Sequence, residues 1–243
     1  MSDHNFIDKS RKQWSSESAF IVSMAAAAVG LGNLWRFPYI VGENGGGVFV
    51  VAYLLALFIV VLPIMMLEVA SGRLTQGNTV ATFKQINQWG RYYGWFVVIL
   101  TSAITSYYLV ITGWTLGYSV DATLGELKVF DEFTKGFNSF WYFLAVIGLT
   151  SIVLIRGLNM IESLSKILMP ILLVVMIFLV IAASKTSGWQ QTIDFFFEFD
   201  WAELKNGQLW LFAFGQAFYT LAIGQGYLIT YGSYIPRKTH LPR

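Results

Sequence analysis

Long apolar runs fill most of this chain, and short polar stretches separate them. A helix that crosses a bilayer needs about 20 mainly apolar residues. Six segments fit: 18–41, 47–72, 94–121, 139–155, 161–184 and 209–234. The pattern predicts an all-α polytopic membrane protein with a transmembrane domain over 18–234. Residues 1–17 form a polar lead-in and 235–243 a polar tail. Two connecting stretches are too long for tight turns. Residues 75–93 are polar with some apolar spacing and predict a short helix along one membrane face. Residues 185–207 predict local structure of their own on the other.

Composition supports this reading. Charged residues make up 12% of the chain and hydrophobic ones 56%. Soluble domains carry about 25% charged residues, so most of this surface does not face water. A single soluble core would not need apolar runs of this length. The absence of cysteine removes disulfides, thiolate metal sites and thiol nucleophiles. A cleaved signal peptide is disfavoured, because acidic and basic residues mix before the first apolar run and that run continues past Ala28.

Charge distribution orients the chain. With the N-terminus in the cytoplasm, the inner segments hold Lys9, Arg11, Lys12, Arg73, Lys84, Arg91, Arg156, Lys166, Arg237, Lys238 and Arg243, eleven of the sixteen basic residues. The outer loops hold Lys128, Lys135, Lys185 and Lys205, diluted by acidic residues. The positive-inside rule therefore places both termini in the cytoplasm of a cell (plasma or inner) membrane.

Spans one and six carry unusual chemistry. Gly30-Leu31-Gly32-Asn33 interrupts the first, followed by Arg36 and Pro38, and Gln216, Thr220, Gly224, Gln225 and Gly226 fall within the sixth. Glycines alone would also serve close helix packing, and Asn33 or Thr220 alone an interhelical hydrogen bond. Polar residues beside glycines in both spans instead predict helices unwound mid-membrane, tolerated only against protein or a wet cavity. Unwinding exposes amides at one half-helix N-terminus, which attract an anion. It exposes carbonyls at the other half's C-terminus, which can replace the water around a hard cation. Paired interruptions of this kind point to a transporter site.

These residues resemble the neurotransmitter:sodium symporter family, in its bacterial amino-acid branch. The likeness rests on the run from Ala28 to Tyr39, on Glu43-Asn44-Gly45-Gly46-Gly47, on Tyr107-Tyr108 and Trp114-Thr115-Leu116-Gly117, on Arg156-Gly157, and on the runs 215–220 and 229–234. It implies the first repeat of an inverted-repeat (5+5) leucine-transporter-like fold, plus the first helix of the second repeat. It also implies sodium-coupled amino-acid symport by alternating access, with Na+ as the coupling ion and Cl− as a candidate second ion. By resemblance, one sodium site takes the Ala28 carbonyl, Asn33 and Thr220, and a second takes the carbonyls of Ala26 and Val29. The substrate carboxylate would meet amides near Gly30, Leu31 and Gly32 and the Tyr108 hydroxyl. Its ammonium would meet carbonyls of Ala28, Tyr219 and Thr220. Ile104, Tyr108, Tyr219, Ala222 and Gln225 would line the side-chain pocket. Tyr53, Gln216 and Thr220 match chloride-site positions. Arg36 matches the outer gate, and Arg11, Trp14 and Tyr234 a cytoplasmic latch.

Ala27 stands where monoamine members of the family carry aspartate, so a substrate bringing its own carboxylate is expected. Small Ala222 and polar Gln225 favour a bulky or aromatic amino acid, with asparagine or glutamine as the alternative. Glu68, late in span two, reads as a buried structural carboxylate. The chain departs from the family pattern at Arg243, where most of the second repeat would follow. Three explanations are a product cut short, a split transporter completed by a second polypeptide carrying the remaining helices, and a fragment with another role. Rival classes are a non-transporting membrane subunit and an ion channel. An enzyme is not expected: His4 and His240 lie at opposite polar ends, and Glu68 lacks an acid–base partner. Nothing suggests a nucleic-acid partner.

Overall fold

The computed structural model describes residues 12–30 and 32–236. The sequence-derived candidates Arg11 and Leu31 lie outside the described residues. Those described fold into helices and connecting turns, with no strand among them. Helix α1 spans Glu17–Ala28, and α2 spans Gly32–Glu43, bent by 55° from α1. Helix α3 covers Gly47–Thr75, α4 Thr79–Ile86, α5 Gly90–Leu124, α6 Phe130–Thr134, α7 Asn138–Arg156 and α8 Leu158–Ala183. Helix α9 covers Trp189–Phe197, and a 3-10 turn follows at Trp201–Lys205. The last two helices among the described residues are α10, Gly207–Thr220, and α11, Tyr227–Gly232.

Helices α3, α5, α7 and α8 are each long and apolar enough to cross a membrane, and the bent pair α1–α2 makes a fifth such span. The sixth apolar run is two short helices, α10 and α11, separated by residues 221–226. The polar stretch after α3 contains the helix α4, and the stretch after α8 contains α9 and the 3-10 turn.

Local chemistry sets the helix ends. The Ser16 hydroxyl accepts from the Ala19 amide to start α1, and Asn78 accepts from Ala81 to start α4. Gly125 closes α5 at φ 75°, and Gly157 turns α7 into α8 at φ 68°, left-handed angles that favour glycine. Helix α3 passes through a π-helical turn, Leu57–Val61, just before Pro63, which has no amide to give the preceding turn.

Two apolar clusters hold the site in place. Val48, Phe49, Ala52, Tyr53 and Ala56 of α3 pack on Leu209, Ala213 and Ala217 of α10. Trp14, Val69, Leu158, Leu228 and Ile235 form the second cluster around α11. Helices α3 and α11 touch backbone to backbone: a Cβ on Gly72 would lie 1.9 Å from the Ile229 carbonyl oxygen, and one on Gly232 2.3 Å from that of Val69. Close approach through glycine is the usual means of helix packing in lipid. The most apolar stretch of α8 is unburied throughout, as befits a surface that meets lipid tails.

Candidate functional site

The two breaks lie side by side. After Ala28 the chain extends through Val29 (φ −91°, ψ 99°). A continuous helix would aim the Gly32 amide at the Ala28 carbonyl. Here that amide donates to the Tyr108 hydroxyl at 3.3 Å. The freed Ala28 carbonyl accepts Asn33 Nδ2 at 2.7 Å. Asn33 Oδ1 and the Ala28 carbonyl are thus held near one another, and Thr220 lines the same cavity. This all-oxygen set suits a hard monovalent cation far better than a soft metal.

In the second break, Ala222 (φ 46°), Gly224 (φ 83°) and Gly226 (φ 76°) all take left-handed angles. For a non-glycine residue such as Ala222, this conformation costs about 1–2 kcal/mol. Side chains from three other helices grip the opened turn. Glu68 Oε1 accepts the Gly224 amide at 2.8 Å. Thr101 donates to the Gln225 carbonyl and Thr79 to that of Gly226, each at 2.9 Å. The Tyr227 hydroxyl reaches back to the Leu221 carbonyl at 3.0 Å.

Between the breaks and α5 lies a cavity of about 450 Å³. It brings together Ala26, Ala28, Val29, Gly30, Gly32, Asn33, Ile104, Tyr108, Tyr219, Thr220, Ala222 and Gln225. Ala27 lines it as well, without an acidic group. A second cavity of about 530 Å³, between α1 and α8, shares Ala26, Ala27, Val29 and Tyr231 with the first. A Cβ at Gly32 would overlap the Tyr219 ring, so a side chain there requires that ring to move.

The remaining described candidates do not line this cavity. Arg36 donates to Gln216 Oε1 at 2.6 Å, and its guanidinium lies 5.0 Å from the centre of the Tyr219 ring. Gln216 is buried and donates to Thr220 Oγ1 at 3.3 Å. Tyr53 is buried in the α3–α10 core against the Phe37 ring. On the opposite side, Trp14 Nε1 donates to the Tyr231 carbonyl at 3.0 Å and the Trp14 amide to that of Tyr234 at 3.2 Å. Its ring packs edge-on against both tyrosines.

Several contributors escaped the sequence reading. Glu162 of α8 accepts the Ser15 amide at 2.8 Å and its hydroxyl at 2.6 Å, with Lys166 3.6 Å away. A glutamate one turn from a lysine at a helix start looks like any surface pair, so no local signal marks it. Thr79 and Thr101 carry no signal either, because short hydroxyl residues are common in such helices.

Comparison with known proteins matches this geometry to a family. A profile described as the Sodium:neurotransmitter symporter family matches residues 11–139 and 137–242. The chain belongs to this family. It is 36% identical to an uncharacterised sodium-dependent transporter of Methanocaldococcus jannaschii, over 95% of this chain and 51% of the relative. It is 32% identical to the uncharacterised sodium-dependent transporter YhdH of Bacillus subtilis, over 95% of this chain and 54% of the relative. The chain thus spans about half the length of the curated relatives it matches. Among solved structures it resembles MhsT in complex with L-phenylalanine, with a TM-score of 0.81 and 37% identity over 93% of this chain and 54% of that one. The fold is therefore the leucine-transporter-like arrangement, with helices one and six unwound. The family is one of transporters rather than enzymes, and the long apolar helices of this chain make it a multi-pass membrane protein.

Proposed function

We propose that this protein is part of a sodium-coupled symporter that carries a bulky or aromatic amino acid across a cell membrane, with its described termini on the cytoplasmic side. The observation that carries this reading is the single cavity bounded by both helix breaks. There, amides that attract a carboxylate lie next to oxygens that suit sodium. The substrate carboxylate would engage the amides around Gly30 and Gly32 and the Tyr108 hydroxyl. Its ammonium would engage the carbonyls of Ala28, Tyr219 and Thr220. Sodium, as co-substrate, would take the Ala28 carbonyl, Asn33 Oδ1 and Thr220 Oγ1, and a second ion the carbonyls of Ala26 and Val29. Carboxylate and cation attract one another across a few ångströms, so each strengthens the other's binding, and that reciprocity is the thermodynamic basis of coupling.

Three features favour a large side chain. The cavity volume falls in the range of sites for drug-sized ligands. Ala222 leaves room, and Gln225 offers an amide to a polar substituent. MhsT, similar over most of this chain, was crystallised with L-phenylalanine. Ala27 places no carboxylate opposite the amine, which disfavours monoamines. Tyr53, Gln216 and Thr220 are the positions at which chloride would bind. The orientation rests on the basic residues of the inner segments.

The test is uptake of labelled L-phenylalanine into proteoliposomes. An inward sodium gradient should drive accumulation that choline or potassium cannot replace. Equal uptake in all three salts rejects the coupling, and omission of chloride in the same assay decides the anion.

A further inference from the structure

Gln225 lines the cavity from a stretch with no regular structure of its own. Its position depends on what holds residues 224–226. Two of the restraints are hydroxyls. Thr101 of α5 donates to the Gln225 carbonyl, and Thr79 of α4 donates to the next carbonyl, that of Gly226. The Gly226 carbonyl also accepts the amide and hydroxyl of Thr230, so Thr79 adds to a bonded group. The Thr79 contact is steric as well: a Cβ on Gly226 would lie 2.5 Å from Thr79 Oγ1. Thr79 is buried and does not line the cavity.

Helix α4 is itself firmly seated. The Thr82 hydroxyl bonds that of Thr75 at the end of α3 at 2.7 Å. Helix α5 meets α4 backbone at Gly94, where a Cβ would lie 2.7 Å from Val80 Cα. A hydroxyl on this connecting helix is therefore braced from both sides against the loop that carries Gln225.

We infer that Thr79 and Thr101 are positioning residues for substrate selection: by gripping two successive carbonyls they fix the direction of Gln225, and the connecting helix α4 thereby helps to set which amino acid is bound. This rests on the transport reading above. It deepens that reading by extending selectivity from Thr101, which lines the cavity, to Thr79, which lies outside it.

The test uses the purified full chain and two readouts. The first is hydrogen–deuterium exchange of the backbone amides at 221–230, which needs no substrate. The second is sodium-dependent competition between L-phenylalanine and L-glutamine. Thr101→Val should speed exchange about fivefold, the equivalent of one neutral hydrogen bond, and shift the phenylalanine-to-glutamine preference by a similar factor. Thr79→Val should move both in the same direction by less. Thr79→Ser and Thr101→Ser, which keep the hydroxyl, should restore wild-type values. Unchanged exchange in both valine variants overturns the grip. Faster exchange with an unchanged preference overturns the link to selection. If the wild type binds neither amino acid with sodium, the transport reading and the selectivity claim fall together, while exchange still decides the grip.

Discussion

At the scale of single residues, Asn33 ties ion chemistry to backbone geometry. Its amide secures the Ala28 carbonyl and keeps its own oxygen beside it. Asn33→Ala removes one candidate ligand and releases the other. The sodium concentration for half-maximal uptake should rise about tenfold, which corresponds to about 1.4 kcal/mol. A sodium titration of the variant checks this, and an unchanged midpoint removes the assignment. Gln225→Ala should change the order in which amino acids compete for uptake while leaving sodium dependence alone. An unaltered competition profile shows that the amide does not touch substrate. Both residues were legible in the sequence because an amide in an apolar run needs a reason. Glu68 reads from the sequence as a buried carboxylate and is half-buried in the structure, and its partner, the Gly224 amide, was not legible. Sequence spacing gives no hint that residues 156 apart meet. Glu68→Ala leaves that amide without its acceptor, an expected loss of about 1–3 kcal/mol visible as a lower midpoint of thermal unfolding.

At the scale of elements, the N-terminal segment before α1 is pinned from two directions. Trp14 hangs on carbonyls at the end of α11, and Ser15 is held through both its amide and its hydroxyl by Glu162 of α8. Tryptophan-to-alanine truncation of a packed side chain removes about 3–5 kcal/mol, so Trp14→Ala should free this end of α1. The chain has no native cysteine, so a thiol placed at Ala27 gives a clean reporter. In inside-out vesicles, Trp14→Ala should speed its labelling by a charged thiol reagent at least tenfold (about 1.4 kcal/mol). Glu162→Gln should do so by less, since it weakens the two bonds without deleting the carbonyl-bound ring. Equal labelling rates would show that the segment does not govern access. Glycine pairs made both helix breaks readable, because freed backbone groups at that depth need protein partners. Helix α4 was readable as a short helix between spans two and three, and α9 only as a structured stretch. Their amphipathic patterns are short, and their bounds depend on docking against α5 and α3, which no local signal encodes.

At the scale of the whole molecule, the sequence carried the architecture well. Apolar runs of the right length satisfy their backbone groups in lipid as helices, and charge asymmetry supplies an expected orientation. Orientation yields its own prediction. A cysteine in place of Lys128 should react with an impermeant reagent in intact cells, and one in place of Lys84 only after the membrane is opened. The reverse pattern would invert the topology. Resemblance brought Trp14 near Tyr234, but the particular contacts between the two broken helices and their flanks could not be read along the chain: Trp14 on Tyr231, Arg36 on Gln216, Gly32 under Tyr219. The last of these has a consequence for how the halves can vary. The ring of Tyr219 occupies the space where residue 32 would keep the first carbon of a side chain, so the two broken helices fit like a key cut for one lock. A methyl gained by Gly32→Ala should abolish uptake by itself, and loss of the ring in Tyr219→Ala should restore part of it. Neither broken helix is free to drift in sequence or to swivel without its opposite number answering.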